Sequence, residues 1–543
     1  MTERGLIARA TDAVIAEVAP SWGVSRLKAR AQATALSAMM GGSGYGRHGA
    51  AIKKRSILGW PLGRGGSPDE DIGENLDLLR ARSRDLYMSG GLGCGAIKTI
   101  AQNAVGPGLT LNPQIDSEYL GMTGEEASAW ERGVEREFYL WAESDSCDYN
   151  RTCNFQGLQK LMFLSLLMNG DSFALLPMRS RRDSPYSLCV QLIEGDRVCN
   201  PDIYNLAVDI RQGVERDADG VDVAYHICLG HPGAFPQTAE EVKRQRTWVR
   251  YPIFGERSGR RNVLHVMEPE RIGARRGVPF LTPVIEDLKQ LERYTDAELM
   301  AAVVGGMLTV FVTTQMPEDP ILGEAVNLPS EGSAAMDAQQ LALGYGSVIG
   351  LQPGQDMKAF EPKRPTVAFD GFVSAISKQI GVSLGLPYEV LVKAFNSSYS
   401  ASRGALLEAW KTFKTWRSFF VSSFCQPVYE SWLEEAVALG RVSAPGFFDD
   451  PMIRKAYCGS EWHGPAQGTL NPLQEANAWK VLVDESFTTR AAIVAELNGG
   501  DFSRVVRQRI AEEEQRKAGG LVQIPAPAAA PDSSSKNKKA GDE

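Results

Sequence analysis

Apolar residues recur along this chain at strand-like spacing in one region and at helical spacing in most of the rest. Between Asn75 and Ala104 the pattern NLDLLRARSRDLYMSGGLGCGAIKTIAQNA predicts two helices separated at Ser89-Gly90-Gly91. Gly106-Pro107-Gly108 ends the second and turns the chain into the strand LTLNPQ. Residues 125–143 read as a helix ending near Trp141, and 154–169 as another that Asn154 caps. SFALLPM, LCVQLI, VDVAYHICL and RNVLHVM then supply half-buried strands between Asp/Gly/Pro turns. These segments predict an α+β domain of about 200 residues.

Thr282-Pro283 marks the start of a long helix, with Thr282 as cap and Pro283 at the first helical position. Val284, Leu288, Leu291, Leu299 and Val303 line one side of it. After Gly305-Gly306 come a strand, LTVFVTT, a polar insert over 315–340, and strands around GSVIGL and DMKAFEP. A second amphipathic helix is expected over 368–384. The helix from about Ala401 sets Leu406, Trp410, Phe413, Phe420 and Phe424 on one stripe, which is first of all a core-forming pattern. Pro427 is expected to kink it, since a mid-helix proline removes one backbone hydrogen bond and crowds the preceding turn. The run is far longer than the ~12 residues of an ordinary globular helix, and such a helix serves as a strut. IPAPAAAPDSSSKNKKAGDE at the C-terminus has the composition of a disordered tail.

Composition narrows the function classes. With 43% hydrophobic and 23% charged residues the chain has the make-up of an ordinary soluble protein. No apolar run reaches membrane-spanning length, and the N-terminus lacks the apolar core of a signal peptide. The eight cysteines are scattered without a CxxC pair, which fits reduced thiols and neither a disulfide framework nor a zinc site. The net charge of −8 is uneven: residues 1–64 hold ten Lys/Arg against three Asp/Glu, so the remainder is more acidic still. That basic arm, with Lys53-Lys54-Arg55 behind a glycine-rich stretch, suits contact with nucleic acid or an acidic partner, or else a solvated, partly disordered role.

Catalytic and cofactor motifs do not emerge. GGLGCGAIKT at 90–99 fails as a phosphate loop because Ile97, not glycine, precedes Lys98 and no strand leads into it. No GxSxG elbow or HExxH helix occurs. Glu194, Asp196, Glu215 and Asp217 read as solvated turn residues, and the five histidines as structural. The expected catalytic, cofactor and metal residues are therefore none.

The order of short motifs carries more. Arg84-Asp85-Leu86, Gly95-Ala96-Ile97 with Thr99 and Asn103, and Val105-Gly106-Pro107-Gly108 come first. Trp141, Cys147-Asp148, Phe155, Leu158-Gln159 and Gly170-Asp171-Ser172-Phe173 follow, then Ile193-Glu194-Gly195-Asp196-Arg197, Pro201, Gly213-Val214-Glu215 and Ala224-Tyr225. His265, Arg276-Gly277-Val278-Pro279, Leu386-Pro387-Tyr388-Glu389, Tyr399-Ser400 and Leu406-Leu407-Glu408 continue the series. Trp462, Gly464-Pro465, Pro472, Glu475-Ala476, Thr488 and Asp501 close it. From about residue 75 to 515 this order resembles the portal proteins of lambda-type tailed phages. Two departures stand out: Lys393-Ala394-Phe395, where the family usually has an Asp and a Ser, and Arg403-Gly404, where it favours alanine.

The resemblance implies a portal-protein fold assembled as a ring of twelve subunits. It places a basic flexible arm at 1–74, an α+β wing at 75–280, stem helices at 281–308 and 365–384, and an α/β clip at 309–364 between them. A tunnel loop at 385–400, a long kinked helix at 401–437, a helical crown at 438–520 and a disordered tail at 521–543 complete the scheme. Lys393, Asn396, Ser397, Ser398 and Tyr399 are the expected DNA-channel residues. The implied partners are further copies of the chain, double-stranded DNA without sequence preference, the terminase large subunit, the major capsid protein and a head-tail connector, with no membrane and no cofactor. The implied location is the portal vertex of the virion, with the host cytoplasm during assembly. The competing readings are another virion protein, such as a minor capsid or tail component, and a hydrolase with an unrecognised site.

Overall fold

The computed structural model describes residues 66–202, 208–306, 310–314, 355–359, 369–396, 398–468, 471–498 and 500–519. The chain divides into two units, residues 1–67 and 68–543, and the architecture is that of the second. The basic arm, the polar insert, the GSVIGL strand and the C-terminal tail lie outside the described residues.

In chain order the longer helices are α1 (Leu76–Met88), α2 (Gly91–Ala104), α3 (Gly124–Ala142), α4 (Phe155–Asn169), α5 (Ile285–Gly306), α6 (Phe369–Ser383), α7 (Tyr399–Phe420), α8 (Gln426–Ala438), α9 (Pro472–Asp484), α10 (Arg490–Asn498) and α11 (Phe502–Ala518). The strands are β1 (Thr110–Pro113), β2 (Asp171–Leu175), β3 (Gln191–Glu194), β4 (Asp209–Arg211), β5 (Val214–Arg216), β6 (Asp222–Cys228), β7 (Trp248–Pro252), β8 (Val263–Met267), β9 (Val310–Thr314), β10 (Gln355–Ala359) and β11 (Ser460–His463). They form antiparallel sheets ordered β3-β2-β8 and β4-β5-β6-β7, with the separate pairs β1-β11 and β9-β10. Segregated helices and antiparallel sheets make this an α+β fold, as the spacing of apolar residues predicts.

Local chemistry fixes several boundaries. Asn154 caps α4 by accepting from the Gly157 N–H at 3.0 Å. Thr123 and Glu126 form a reciprocal capping box at the start of α3. The start of α5 departs from expectation. The chain enters it through a 3-10 turn, Thr282–Val284, with Leu281 at the cap position and no side-chain cap. Thr282 is thereby drawn inside the turn, and its buried hydroxyl has no hydrogen-bond partner among the described residues. Glycine is required where α2 gives way to β1: Gly108 takes φ +136°, and a Cβ there would meet the side chain of Gln156 at 2.5 Å.

The core is aromatic and spans distant parts of the chain. Phe138 of α3 meets Phe155 of α4 at 5.9 Å, Trp432 of α8 at 5.2 Å and Trp462 of β11 at 6.1 Å, all nearly edge-on. Phe163 of α4 meets Phe420 of α7 at 5.2 Å. Trp410, Phe413, Phe420 and Phe424 are buried, so the aromatic stripe of the strut is indeed its packed face. Between α7 and α8 the strut passes through a π turn, Val421–Cys425, in which the Gln426 N–H bonds to Val421 O. Pro427 stands in the first turn of α8, directly after it. The hydroxyls of Ser422 and Ser423 both donate to Phe419 O, at 2.9 and 2.8 Å. They satisfy an acceptor at the point where the ladder changes spacing.

Two polar clamps tie the ends together. Gln159, wholly buried, accepts from the Leu109 N–H at 2.6 Å and donates to Leu109 O at 3.2 Å, holding the turn into β1. Arg417 of α7 donates to Asn103 O, Ala104 O and Pro465 O, joining the end of α2 to the segment after β11. Replacing Gln159 with Leu strands a buried donor and a buried acceptor and is expected to cost about 2–4 kcal/mol. Equilibrium urea denaturation checks this; an unchanged midpoint removes the clamp from the account.

Candidate channel segment and the buried charge cluster

The segment expected to form a channel loop is half packed and half exposed. After α6 the chain turns at Gly385, and Leu386 N–H returns to Gly381 O at 2.8 Å. Leu386, Val390 and Leu391 are buried, the last two on a short helical turn, Tyr388–Leu391. Lys393 then takes a left-handed conformation (φ 56°), and Ala394 N–H bonds back to Glu389 O at 3.1 Å. Beyond that point the side chains face solvent. Lys393, Asn396, Ser398 and Tyr399 all lie exposed in one segment, while Ser397 falls outside the described residues. Ser398 caps α7, accepting from the Ala401 N–H at 3.4 Å. Arg403, one turn along, donates to Tyr399 Oη at 3.4 Å and pairs with Glu475 of α9 at 2.6 Å.

The helices flanking this segment and its partner element pack on each other through Tyr294 of α5, which meets Phe369 at 5.6 Å and Phe372 at 4.8 Å on α6. Their outer faces stay apolar: Leu299, Met300 and Val303 on α5, and Val382 on α6, are exposed.

A buried charge cluster anchors α5 to the sheets. Asp171, the first residue of β2, is fully buried. Its carboxylate accepts from Arg80 of α1 at 2.6 Å, from Arg276 Nε at 2.6 Å and Nη2 at 3.1 Å, from His265 at 3.3 Å and from the Gly277 N–H at 3.2 Å. Arg276 also donates to Gly195 O, Val198 O and Gln212 O. Gly195 admits no side chain, because a Cβ would sit 2.5 Å from Asp171 Oδ1. Arg84 extends the cluster to Asp196 and, at 2.7 Å, to Asn169 Oδ1. Burial alone pushes the Asp171 carboxyl up, but Arg276 and Arg80 outweigh it and hold it well below the usual carboxylate range. Burial holds the His265 imidazole below its ordinary value, partly opposed by Asp171, so the ring is neutral and stacks on Phe173 at 4.2 Å.

Two acidic residues expected to be solvated are therefore engaged: Asp196 by Arg84, and Glu215 by Arg250 and His226, each contact to Glu215 at 2.8 Å. Their partners arrive from other elements, which local turn signals do not reveal. Asp217 does serve its turn, accepting from the Asp219 and Val221 N–H groups. Glu194, Asp196 and His231 lie close enough together to suggest a cation site. The Arg84 guanidinium already pairs with Asp196 and approaches Glu194 at 3.9 Å, supplying the positive charge itself. The GGLGCGAIKT stretch is helix α2, with no loop to cradle a phosphate.

Arg84, Gly170-Asp171, Gly195-Asp196, His265 and Arg276-Gly277 are separate motifs in the sequence and a single cluster in space. They are also among the residues on which the family resemblance rests. A family profile described as "Phage portal protein, lambda family" matches residues 53–417. This chain belongs to the lambda family of phage portal proteins. It is similar to Portal protein B of Escherichia phage lambda, 26% identical over 473 residues that cover 84% of this chain and 87% of that one. It is 25% identical to the Portal protein of Escherichia phage N15, with the same coverage. A solved chain in "Neck of empty GTA particle computed with C6 symmetry" aligns over 82% of this chain and 98% of its own length, with 13% identity and a TM-score of 0.40.

Replacing Asp171 with Asn leaves two buried guanidiniums short of charge and is expected to cost about 3–5 kcal/mol. The pH response follows from His265. Its folded value is depressed, so its contribution is complete above the unfolded value near 6.5 and is lost as pH falls from there toward the folded value. Thermal melts from pH 7 to 5 should show the wild type losing more stability than His265→Gln; parallel curves would exclude His265 as the cause.

Proposed function

We propose that twelve copies of this chain close into a ring at one capsid vertex, through which double-stranded DNA enters during packaging and leaves during ejection. The ring docks the terminase large subunit first and the head-tail connector afterwards, and sits against the major capsid protein. It acts by shape and repetition and has no enzymatic role; nucleotide hydrolysis belongs to the motor it docks. The virion is its final location, reached through assembly in the host cytoplasm.

Family membership supports the portal role, and one observation supports the ring. The paired helices α5 and α6 meet through Tyr294, Phe369 and Phe372 yet leave Phe372 itself half exposed and Leu299, Met300, Val303 and Val382 exposed. An apolar face left over after a helix pair has formed suits repetition of the same contact from subunit to subunit. In this reading α5 and α6 are the stem, residues 75–280 the wing, 309–364 the clip and 438–520 the crown. Lys393, Asn396, Ser397, Ser398 and Tyr399 line the channel. Pro427, with the π turn before it, sets the bend of the strut.

The charge balance fits passage better than capture. Each subunit adds its −8 to the ring, so most surfaces repel a duplex, while a few cations at the constriction steady it. Light scattering of the purified protein should give a mass near twelve times 59.2 kDa, and negative-stain images a central hole. A monomer under all conditions would sink the proposal. Lys393→Glu should leave the ring intact and lower DNA retention in filled heads at least several-fold, measured by nuclease protection; unchanged retention removes Lys393 from the channel.

A further inference from the structure

The acidic chain carries one concentrated basic cleft far from Lys393 in sequence. Arg132 and Arg136, four residues apart on α3, face Arg504 and Arg507, three apart on α11, across a cleft of about 550 Å³. Those spacings put each pair on one face of its helix. All four side chains are exposed, and among the described residues none of them forms a salt bridge. Thr110, Tyr139, Gln156, Glu135 and Glu143 complete the lining, so the guanidiniums outnumber the carboxylates two to one. Burial and nearby carboxylates push the Tyr139 phenol up to about 12, leaving it a neutral hydroxyl whose oxygen accepts from Leu111 N–H.

The cleft does not end there. It shares Thr110, Glu135, Tyr139 and Arg504 with a neighbouring cleft of about 800 Å³, where Asp501, Glu512 and Glu513 balance Arg509 and Arg516, the latter paired with Glu513 at 3.0 Å. A free anion needs one closed site. Four exposed guanidiniums on two facing helices of an open cleft match successive phosphates of a backbone, which a duplex presents every ~3.4 Å along each strand. Arginine is also the side chain that grips phosphate bidentately.

We propose that Arg132, Arg136, Arg504 and Arg507 form a phosphate-backbone contact for duplex DNA, separate from the tunnel loop. The inference rests on the DNA-conducting reading only for the identity of the polyanion. Its place between α3 and the C-terminal helix gives the duplex a second grip, sequence-independent and released by salt.

The test uses the full-length protein and a fluorescent 30-base-pair duplex, followed by anisotropy from 50 to 200 mM salt. Arg504→Gln/Arg507→Gln should weaken binding at least tenfold at the lowest salt and reduce the slope of log K against log salt by about two. Arg132→Gln/Arg136→Gln, on the opposite helix, should do the same while the melting temperature stays within that of the parent. Lys243→Gln, an exposed cation outside both this cleft and the channel segment, serves as the contrast and should keep this binding. Unchanged affinity and slope in both double variants would overturn the proposal. So would displacement of the duplex by millimolar inorganic phosphate at fixed ionic strength, which would mark a site for the free anion. Light scattering on the same samples reports the ring independently: intact rings with unaffected DNA binding in the variants reject this site alone, and absence of rings rejects the portal reading alone.

Discussion

A carboxylate with no access to water organises the α+β region. Asp171 cannot be buried as an anion without matching cations, and the desolvation cost of that anion is large. Arg80 and Arg276 supply the match from opposite sides, one from α1 and one from the strand-to-helix link that leads into α5. Because each guanidinium spends its other N–H groups on main-chain oxygens, the cluster also fixes Asn169, Gly195, Val198 and Gln212. Helix α1, the sheet β3-β2-β8 and the root of α5 are therefore held as one body. A long helix leaving that body inherits its direction from the position of Gly277, only eight residues before α5 begins.

Against that polar anchor stands an apolar beam. The strut α7–α8 buries its rings among those of α3 and α4, where edge-to-face contacts stabilise each pair by about 0.5–1.5 kcal/mol beyond area burial. The two systems serve different ends of the same segment. The charge cluster orients α5, against which α6, the helix before Lys393, packs through Tyr294, and the aromatic core fixes the helix after Tyr399. The exposed stretch is thus short, polar and pinned at both sides, with Leu391 buried before it and Ser398 capping after it.

What the sequence reveals and what it hides divide along the range of the interaction. Asn154, the break at Ser89-Gly90 and the aromatic stripe are legible because a cap, a break and a helical repeat are each written within a few turns of chain. The hub at Asp171 is not, since its partners are 91 and 105 residues away. Gly170-Asp171-Ser172-Phe173 is recognisable as a family landmark while its role stays silent. Glu215 misleads for the same reason, its Arg250 lying 35 residues on. Thr282 misleads differently. Threonine before proline is a sound start signal, yet the 3-10 turn draws the hydroxyl inside. Arg80 carries a usable clue, being a charge on the helix face shared with Leu76, Ser83 and Leu86. The four arginines of the α3–α11 cleft have none, as two helices over 350 residues apart must meet before they converge.

The π turn at Val421–Cys425 also constrains how this chain can vary in length. A π turn is an α-helix with one residue too many. The wider turn absorbs that residue, so the helix on either side keeps the phase of an unbroken rod. A residue deleted from the regular helix between Phe413 and Phe420 would instead turn Trp410 and Phe413 off the aromatic seam by about 100° and bring Ala409 and Thr412 toward it. The surplus residue is a phase shifter. It lets two halves of one rod, whose apolar residues are out of step by one position, present a single face to one core.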